Sequence, residues 1–311
     1  MGGRRRERRR NILFFDPDGV TGSAAARGAP SVLVAAAANL QNPCVNASWS
    51  LRPAARGMLA LFALTAAVWL FHIYGRTLPT AAVAAVWAAL SALMFAGLMR
   101  RARIRRAAFL SAYFNAESPL ERRLRGGWPM AARALLLGAA LALLLAVGVL
   151  RLDQRSVWVV LVGGVPVVVL TQTLVTQALE VHVSRRYLPE LAWRVTLVAV
   201  GALMVAVLMV LAFHRAYPAL GTVSLERAVW HLVDQEHARS TWAQALLQMA
   251  AAKDALRLWL AQQLMPQPGT SLVQALGWLV VLAEEVVFVW SYLSLCGAVL
   301  MRTTGGETAR T

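Results

Sequence analysis

Two cysteines, Cys44 and Cys296, are all that a chain of 311 residues holds. One lies in an N-terminal arm and the other in an apolar run, which excludes a disulfide framework and a cysteine-based zinc site. Charge is scarce: 15% of the residues are charged, where soluble domains carry roughly a quarter. Lysine occurs once, at Lys253, beside 30 arginines and 15 acidic residues. Catalytic signatures are missing as well. There is no Walker A pattern, no His-Glu-x-x-His, no Gly-x-Ser-x-Gly and no Cys-x-x-Cys. No selectivity-filter-like Gly-Tyr-Gly run appears either. A non-enzymatic chain without a cofactor is therefore expected. A cleavable leader is also not expected. The arginines at 4–10 resemble a basic leader, but turn chemistry follows in Phe14-Phe15-Asp16-Pro17-Asp18-Gly19 instead of an apolar stretch.

What is present is hydrophobicity, at 59% of the residues. Long apolar runs recur along the whole chain, which excludes a soluble enzyme, a disordered tail and a small secreted domain. A helix crosses the hydrocarbon with about 20 apolar residues. Six stretches qualify: Gly57–Tyr74, Pro79–Met99, Pro129–Leu150, Val157–Leu179, Val195–Phe213 and Leu272–Met301. The run Val32–Ala38 is too short to cross. The expected fold is all-α, a polytopic bundle of six transmembrane helices with a small helical extracytoplasmic loop domain.

The domain plan follows from these runs. Residues 1–54 form a basic cytoplasmic arm, and residues 55–213 carry five spans with a basic loop at 100–128. Residues 214–271 form the helical loop, 272–301 the sixth span and 302–311 a tail. In the helical loop, short helices are expected near Leu225–Ala238 and Thr241–Leu264. The first has Ser224 as its N-cap. Within the second, the polar positions shift from Gln244 and Gln248 to Lys253, Asp254 and Arg257. That shift predicts a kink or a new packing face near Ala250–Lys253.

The net charge of +16 reads first as topology. With the N-terminus inside, 23 of the 31 basic residues fall in inner segments and eight in outer ones. That distribution fits the positive-inside rule, with both termini cytoplasmic. Arginine in place of lysine, together with abundant alanine, points to a bacterial source and so to the inner membrane. The runs Arg4, Arg5, Arg6, Arg8, Arg9, Arg10 and Arg100, Arg101, Arg103, Arg105, Arg106 are candidate contacts for anionic lipid headgroups. No aromatic interleaving or binding fold accompanies them, so nucleic acid is not an expected partner.

Chemistry-bearing candidates are few. Glu284 and Glu285 fall near the middle of the sixth apolar run. An intramembrane carboxylate costs roughly 2.5–3.5 kcal/mol and marks a pathway or a partner contact. Gln172, Thr176 and Glu180 recur at intervals of four on the fourth span, widened by Thr173 and Gln177. Gly163, Gly164 and Pro166 upstream predict a kink or unwinding. His231, Asp234 and His237 are ligand-type residues on neighbouring helical turns, although their spacing matches no metal motif. The function these features favour is a non-enzymatic subunit or assembly factor of a membrane complex. A proton- or cation-coupled transporter using Glu284 and Glu285 is the alternative.

Overall fold

The computed structural model describes residues 43–113, 127–152, 154–184, 187–214, 223–264 and 271–304. The arginines at 4–10 and the run Val32–Ala38 lie outside them. The chain divides into two units, Met1–Ser50 and Leu51–Thr311, and the account below concerns the second.

Among the described residues the chain forms eight helices. They are α1 Pro43–Tyr74, α2 Thr80–Tyr113, α3 Trp128–Leu150, α4 Arg155–Glu180, α5 Leu188–Phe213, α6 Leu225–Val233, α7 Thr241–Leu264 and α8 Ser271–Thr304. Six contain a stretch long and apolar enough to cross a bilayer: Ala54–Tyr74, Thr80–Ala107, Trp128–Leu150, Arg155–Glu180, Leu188–Ala212 and Glu285–Thr303. The expected all-α bundle with six such helices is what the structure shows.

Sequence and structure differ where the arginines begin. The basic composition predicts a loop from residue 100, but α2 continues through Arg100–Arg106 to Tyr113. Arginine is a good helix former, and these residues extend the helix beyond its apolar part. The helix α4 runs unbroken through Gly163, Gly164 and Pro166, so the expected unwinding does not occur. Gly163 has open space where a side chain would stand.

The centre of the bundle is α8. Ser291–Ala298 are all buried. Eight successive buried residues cover every face of a helix, so α8 is surrounded. It packs on α2, α3, α5 and α7. It also meets α1 and α4 through Tyr292, whose hydroxyl lies 2.9 Å from Thr65 Oγ1 and donates to Leu161 O at 3.2 Å. Close approach needs small residues here. A Cβ on Gly97 would stand 2.6 Å from that of Ala298, the small-residue contact by which helices pack in lipid. The outer faces of the other spans carry exposed Leu59, Leu136, Val159, Leu170 and Val198. They form the apolar belt a bilayer covers.

Two ends can be distinguished. At the Arg-rich end α2 carries Arg100–Arg106, and the end of α8 lies beside them, where Arg100 Nη1 donates to Met301 O. At the far end α6 and α7 pack on each other, and α7 packs on α2, α3 and α8.

Candidate functional site

The far end is organised by two arginines in tight hairpins. Arg76 follows α1 and Arg151 follows α3. Arg151 Nε donates to Glu236 Oε1 at 3.0 Å, and its Nη1 donates to Asp254 Oδ2. Arg76 Nη2 lies 3.2 Å from Glu236 Oε2. Arg76 Nε and Nη2 also donate to Leu150 O at 3.2 and 3.0 Å. His72 Nδ1 is 2.9 Å from Val149 O; a carbonyl only accepts, so Nδ1 carries the hydrogen. The last carbonyls of α3 are thus closed by cationic and ring donors, which also suits the negative end of the helix dipole. Burial alone would lower the pKa of Arg151, but Asp254 first and then Glu236 outweigh it and hold it above its ordinary value. Two guanidiniums meet two carboxylates, with the Lys253 ammonium 3.5 Å from Asp254 Oδ1, and the cluster serves as a clamp.

The clamp fixes the α6–α7 cap to the bundle. Arg239 N donates to Arg76 O at 2.9 Å, and Ser240 Oγ donates to Thr80 Oγ1 at 3.2 Å. Further along, Trp259 Nε1 donates to Val223 O at 3.0 Å and ties α7 back to the start of α6. Ala243, Leu247, Ala251 and Ala255 form the buried face of α7. Their interval of four is kept throughout, so the kink or change of face expected near Ala250–Lys253 is absent. The polar residues shift phase there because Asp254 turns toward Arg151, while the packing face stays the same.

Opposite that face runs an exposed stripe: Trp242, Ala245, Met249, Lys253, Leu256 and Leu260. Its steps of three and four are those of a helix seam. Trp242 is 57% exposed and Met249 69%. The stripe begins at the edge of the bundle, where the Trp242 ring lies 6.3 Å from that of Trp87.

The sequence candidates are spread over different depths. Phe288 fills the space beside Gly148, near the far end of α3. Glu285, half-buried, comes one turn earlier on α8 and so stands near that end, away from the middle of the bilayer. The helix is 34 residues long, about 51 Å at 1.5 Å per residue, and among the described residues its apolar span begins at Glu285. Glu284 shares the helix, but its side chain lies outside the described residues. Gln172 sits roughly 27 Å deeper, counted along α4 and α8 from the Leu161–Tyr292 contact at 1.5 Å per residue. Its Oε1 is buried without a hydrogen-bond partner among the described residues. Thr176 Oγ1 and Thr173 Oγ1 donate within their own helix, to Gln172 O at 2.6 Å and Val169 O at 2.7 Å. Glu180 is exposed at the end of α4. The structure therefore does not bring Glu285 and the stripe of α4 together.

His231, Asp234 and His237 are exposed. His231 Nε2 lies 3.3 Å from Gln235 Nε2, and His237 Nδ1 3.3 Å from Gln235 O. No group of three metal-ligating side chains occurs among the described residues. In the Arg-rich segment, Arg101 is buried, Arg103 exposed and Arg106 half-buried, while Arg105 pairs with Glu190 at 3.6 Å.

The clamp itself was not read from sequence, although a signal existed. Arg76 and Arg151 stand in short hairpins at the end that the sequence reading puts outside, where the positive-inside rule disfavours bases. Such residues call for carboxylate partners, and Glu236 and Asp254 were available.

A bundle of six apolar spans, five of them around a buried sixth, defines a multi-pass helical membrane protein. In comparisons with family models, curated proteins and solved structures, nothing matches the chain.

Proposed function

We propose that the protein is a non-enzymatic subunit or assembly factor of an inner-membrane complex, of secretion, conjugation or respiratory type. In this reading both termini are cytoplasmic, and the α6–α7 cap is extracytoplasmic. A helix of a neighbouring subunit docks along Trp242, Met249, Leu256 and Leu260. The observation that carries the reading is this exposed seam on α7, held in place by the Arg76–Arg151–Glu236–Asp254 clamp. Its seven-residue recurrence suits a partner helix. Lys253 within it suits a protein surface better than hydrocarbon, where a cation is costly.

The test is photo-crosslinking in cells from positions 249 and 256, followed by native mass measurement after mild detergent extraction. The expected result is one defined adduct and a fixed stoichiometry. A lone monomer with no adduct from either position overturns the reading. The weight then passes to the alternative, a proton- or cation-coupled transporter. That reading draws on Glu285 and its neighbour Glu284, and it predicts a pH-dependent flux lost in Glu285→Gln.

A further inference from the structure

At the Arg-rich end, α2, α5 and α8 enclose a guanidinium. Arg101 is 6% exposed, and its Cζ lies 5.1 Å from the centre of the Trp193 ring, within the range of a cation–π contact. Gly297 makes room for both. A Cβ there would stand 2.0 Å from Arg101 Nη2 and 2.4 Å from the indole. Arg101 Nε and Nη2 have no hydrogen-bond acceptor among the described residues, and neither does Trp193 Nε1, on a residue 2% exposed.

Among the described residues, one carboxylate serves this neighbourhood. Glu190, in the first turn of α5, is buried. Its Oε1 lies 3.3 Å from Arg194 Nε and 3.6 Å from Arg105 Nε. Its Oε2 is buried without a hydrogen-bond partner among the described residues. Three guanidiniums thus surround one carboxylate, leaving a surplus of two positive charges beside buried donors that lack acceptors. Buried charge and orphaned donors both call for a counter-group. Arg105 and Arg194 are about half exposed, so the flank of the cluster is open to a ligand from outside. Leu191, Val195 and Val198 continue along α5 as exposed apolar residues, a surface for acyl chains. The cluster lies where the apolar part of α2 ends and that of α5 begins, which is headgroup depth.

We propose that Arg101, Arg105 and Arg194, with the Trp193 indole, form an interhelical site for a phosphodiester anion, the headgroup of an anionic phospholipid. Basic clefts between transmembrane helices are suited to such headgroups. The phosphate oxygens accept from the guanidiniums and offset one of the two surplus charges. The orphaned Glu190 Oε2 favours a headgroup that also carries a hydroxyl, as phosphatidylglycerol does. This site is independent of the α7 seam and stands whether or not a partner subunit exists.

The test uses the full chain purified in detergent. Lipid retention is read by native mass spectrometry, and unfolding temperature is followed as phosphatidylglycerol, phosphatidylcholine, glycerol phosphate or inorganic phosphate is added. Phosphatidylglycerol is expected to be retained and to raise the unfolding temperature, while phosphatidylcholine does neither. The Arg105→Gln, Arg194→Gln double variant changes two half-exposed side chains and preserves the core. It should weaken the phosphatidylglycerol effect about 25-fold, from roughly five-fold per arginine. Arg101→Gln should abolish the effect, and the double variant decides the matter if that chain fails to fold. Equal stabilisation by glycerol phosphate would support the site and assign it to a soluble anion. Equal stabilisation by phosphatidylcholine, or an undiminished effect in the double variant, overturns the proposal.

Discussion

Thr65 and Tyr292 place two buried hydroxyls 2.9 Å apart across the interface of α1 and α8. Their surroundings offer two carbonyls, Leu61 O at 2.9 Å from Thr65 Oγ1 and Leu161 O at 3.2 Å from the tyrosine hydroxyl. Two hydroxyl hydrogens serve three short contacts, so one contact in this hydroxyl chain always lacks its proton. When Thr65 donates to Leu61 O and Tyr292 to Leu161 O, the middle contact is the one without a hydrogen; turning either hydroxyl toward the other fills it and leaves one carbonyl unserved.

Removing the middle of that chain should be measurable. Tyr292→Phe keeps the ring and deletes the hydroxyl. It should destabilise the bundle by about 1 kcal/mol, the usual net worth of a buried hydrogen bond. Thermal unfolding in detergent reads it. Thr65→Val should cost no more than that. The double variant should cost less than the sum, because both changes break one chain. Strict additivity would show that the hydroxyls act separately.

Glycine positions separate into two kinds. A Cβ on Gly297 would meet Arg101 and Trp193 at 2.0 and 2.4 Å, whereas one on Gly163 would meet nothing within 4 Å. Gly297→Ala should cost about 1–3 kcal/mol through overpacking. Gly163→Ala should be neutral or stabilising by roughly 0.5–1 kcal/mol, the helix-propensity gain of alanine. Unfolding temperatures of the two variants check the contrast.

Breaking the clamp should free the cap without unfolding the spans. Arg151→Gln leaves Asp254 without the guanidinium that now pairs with it, and leaves Glu236 with Arg76 alone. Loss of one partner from a largely buried pair costs about 3–5 kcal/mol. Faster amide exchange is expected over α6 and α7 and unchanged protection over Ser291–Ala298. Equal loosening of both regions would mean that the clamp supports the whole bundle.

Cys296 is a buried thiol, surrounded by the other helices of the bundle. In a Cys44→Ala background it should resist maleimide in the native protein and react fully after denaturation. In the same background with Cys296→Ala added, Gln263→Cys, exposed on α7, reports sidedness. Labelling from outside intact cells fits an extracytoplasmic cap, and labelling only after permeabilisation reverses the orientation.

Hydropathy found the six spans because lipid demands length and apolarity, and both are written in the sequence. It did not find their order of burial. Leu272–Met301 looks no more central than Pro129–Leu150, yet α8 is the helix whose every face is covered. Its small and polar residues, Ser291, Ser294, Gly297 and Ala298, carry the signal, because close packing in a membrane selects them. Hydropathy also misjudged depth. The run Leu272–Met301 is continuously apolar around Glu284 and Glu285, so counting placed the pair in mid-span, whereas the contact of Phe288 with Gly148 fixes the register. The α7 helix was bounded correctly at Thr241–Leu264, but its polar phase was read as a kink. A single side chain, Asp254, reaching for an arginine 103 positions away, produces the same pattern and cannot be distinguished locally.

The central position of α8 has a consequence for biogenesis. It is synthesised after the five spans that surround it, so those five enter the bilayer with a vacancy along their common axis. Until α8 arrives, Thr65, Gly97, Gly148 and the carbonyl of Leu161 face that vacancy instead of their eventual neighbour. The interval between the fifth span and the last is therefore a waiting state for the nascent chain. A ribosome stalled within residues 214–284 would leave five inserted helices unable to close.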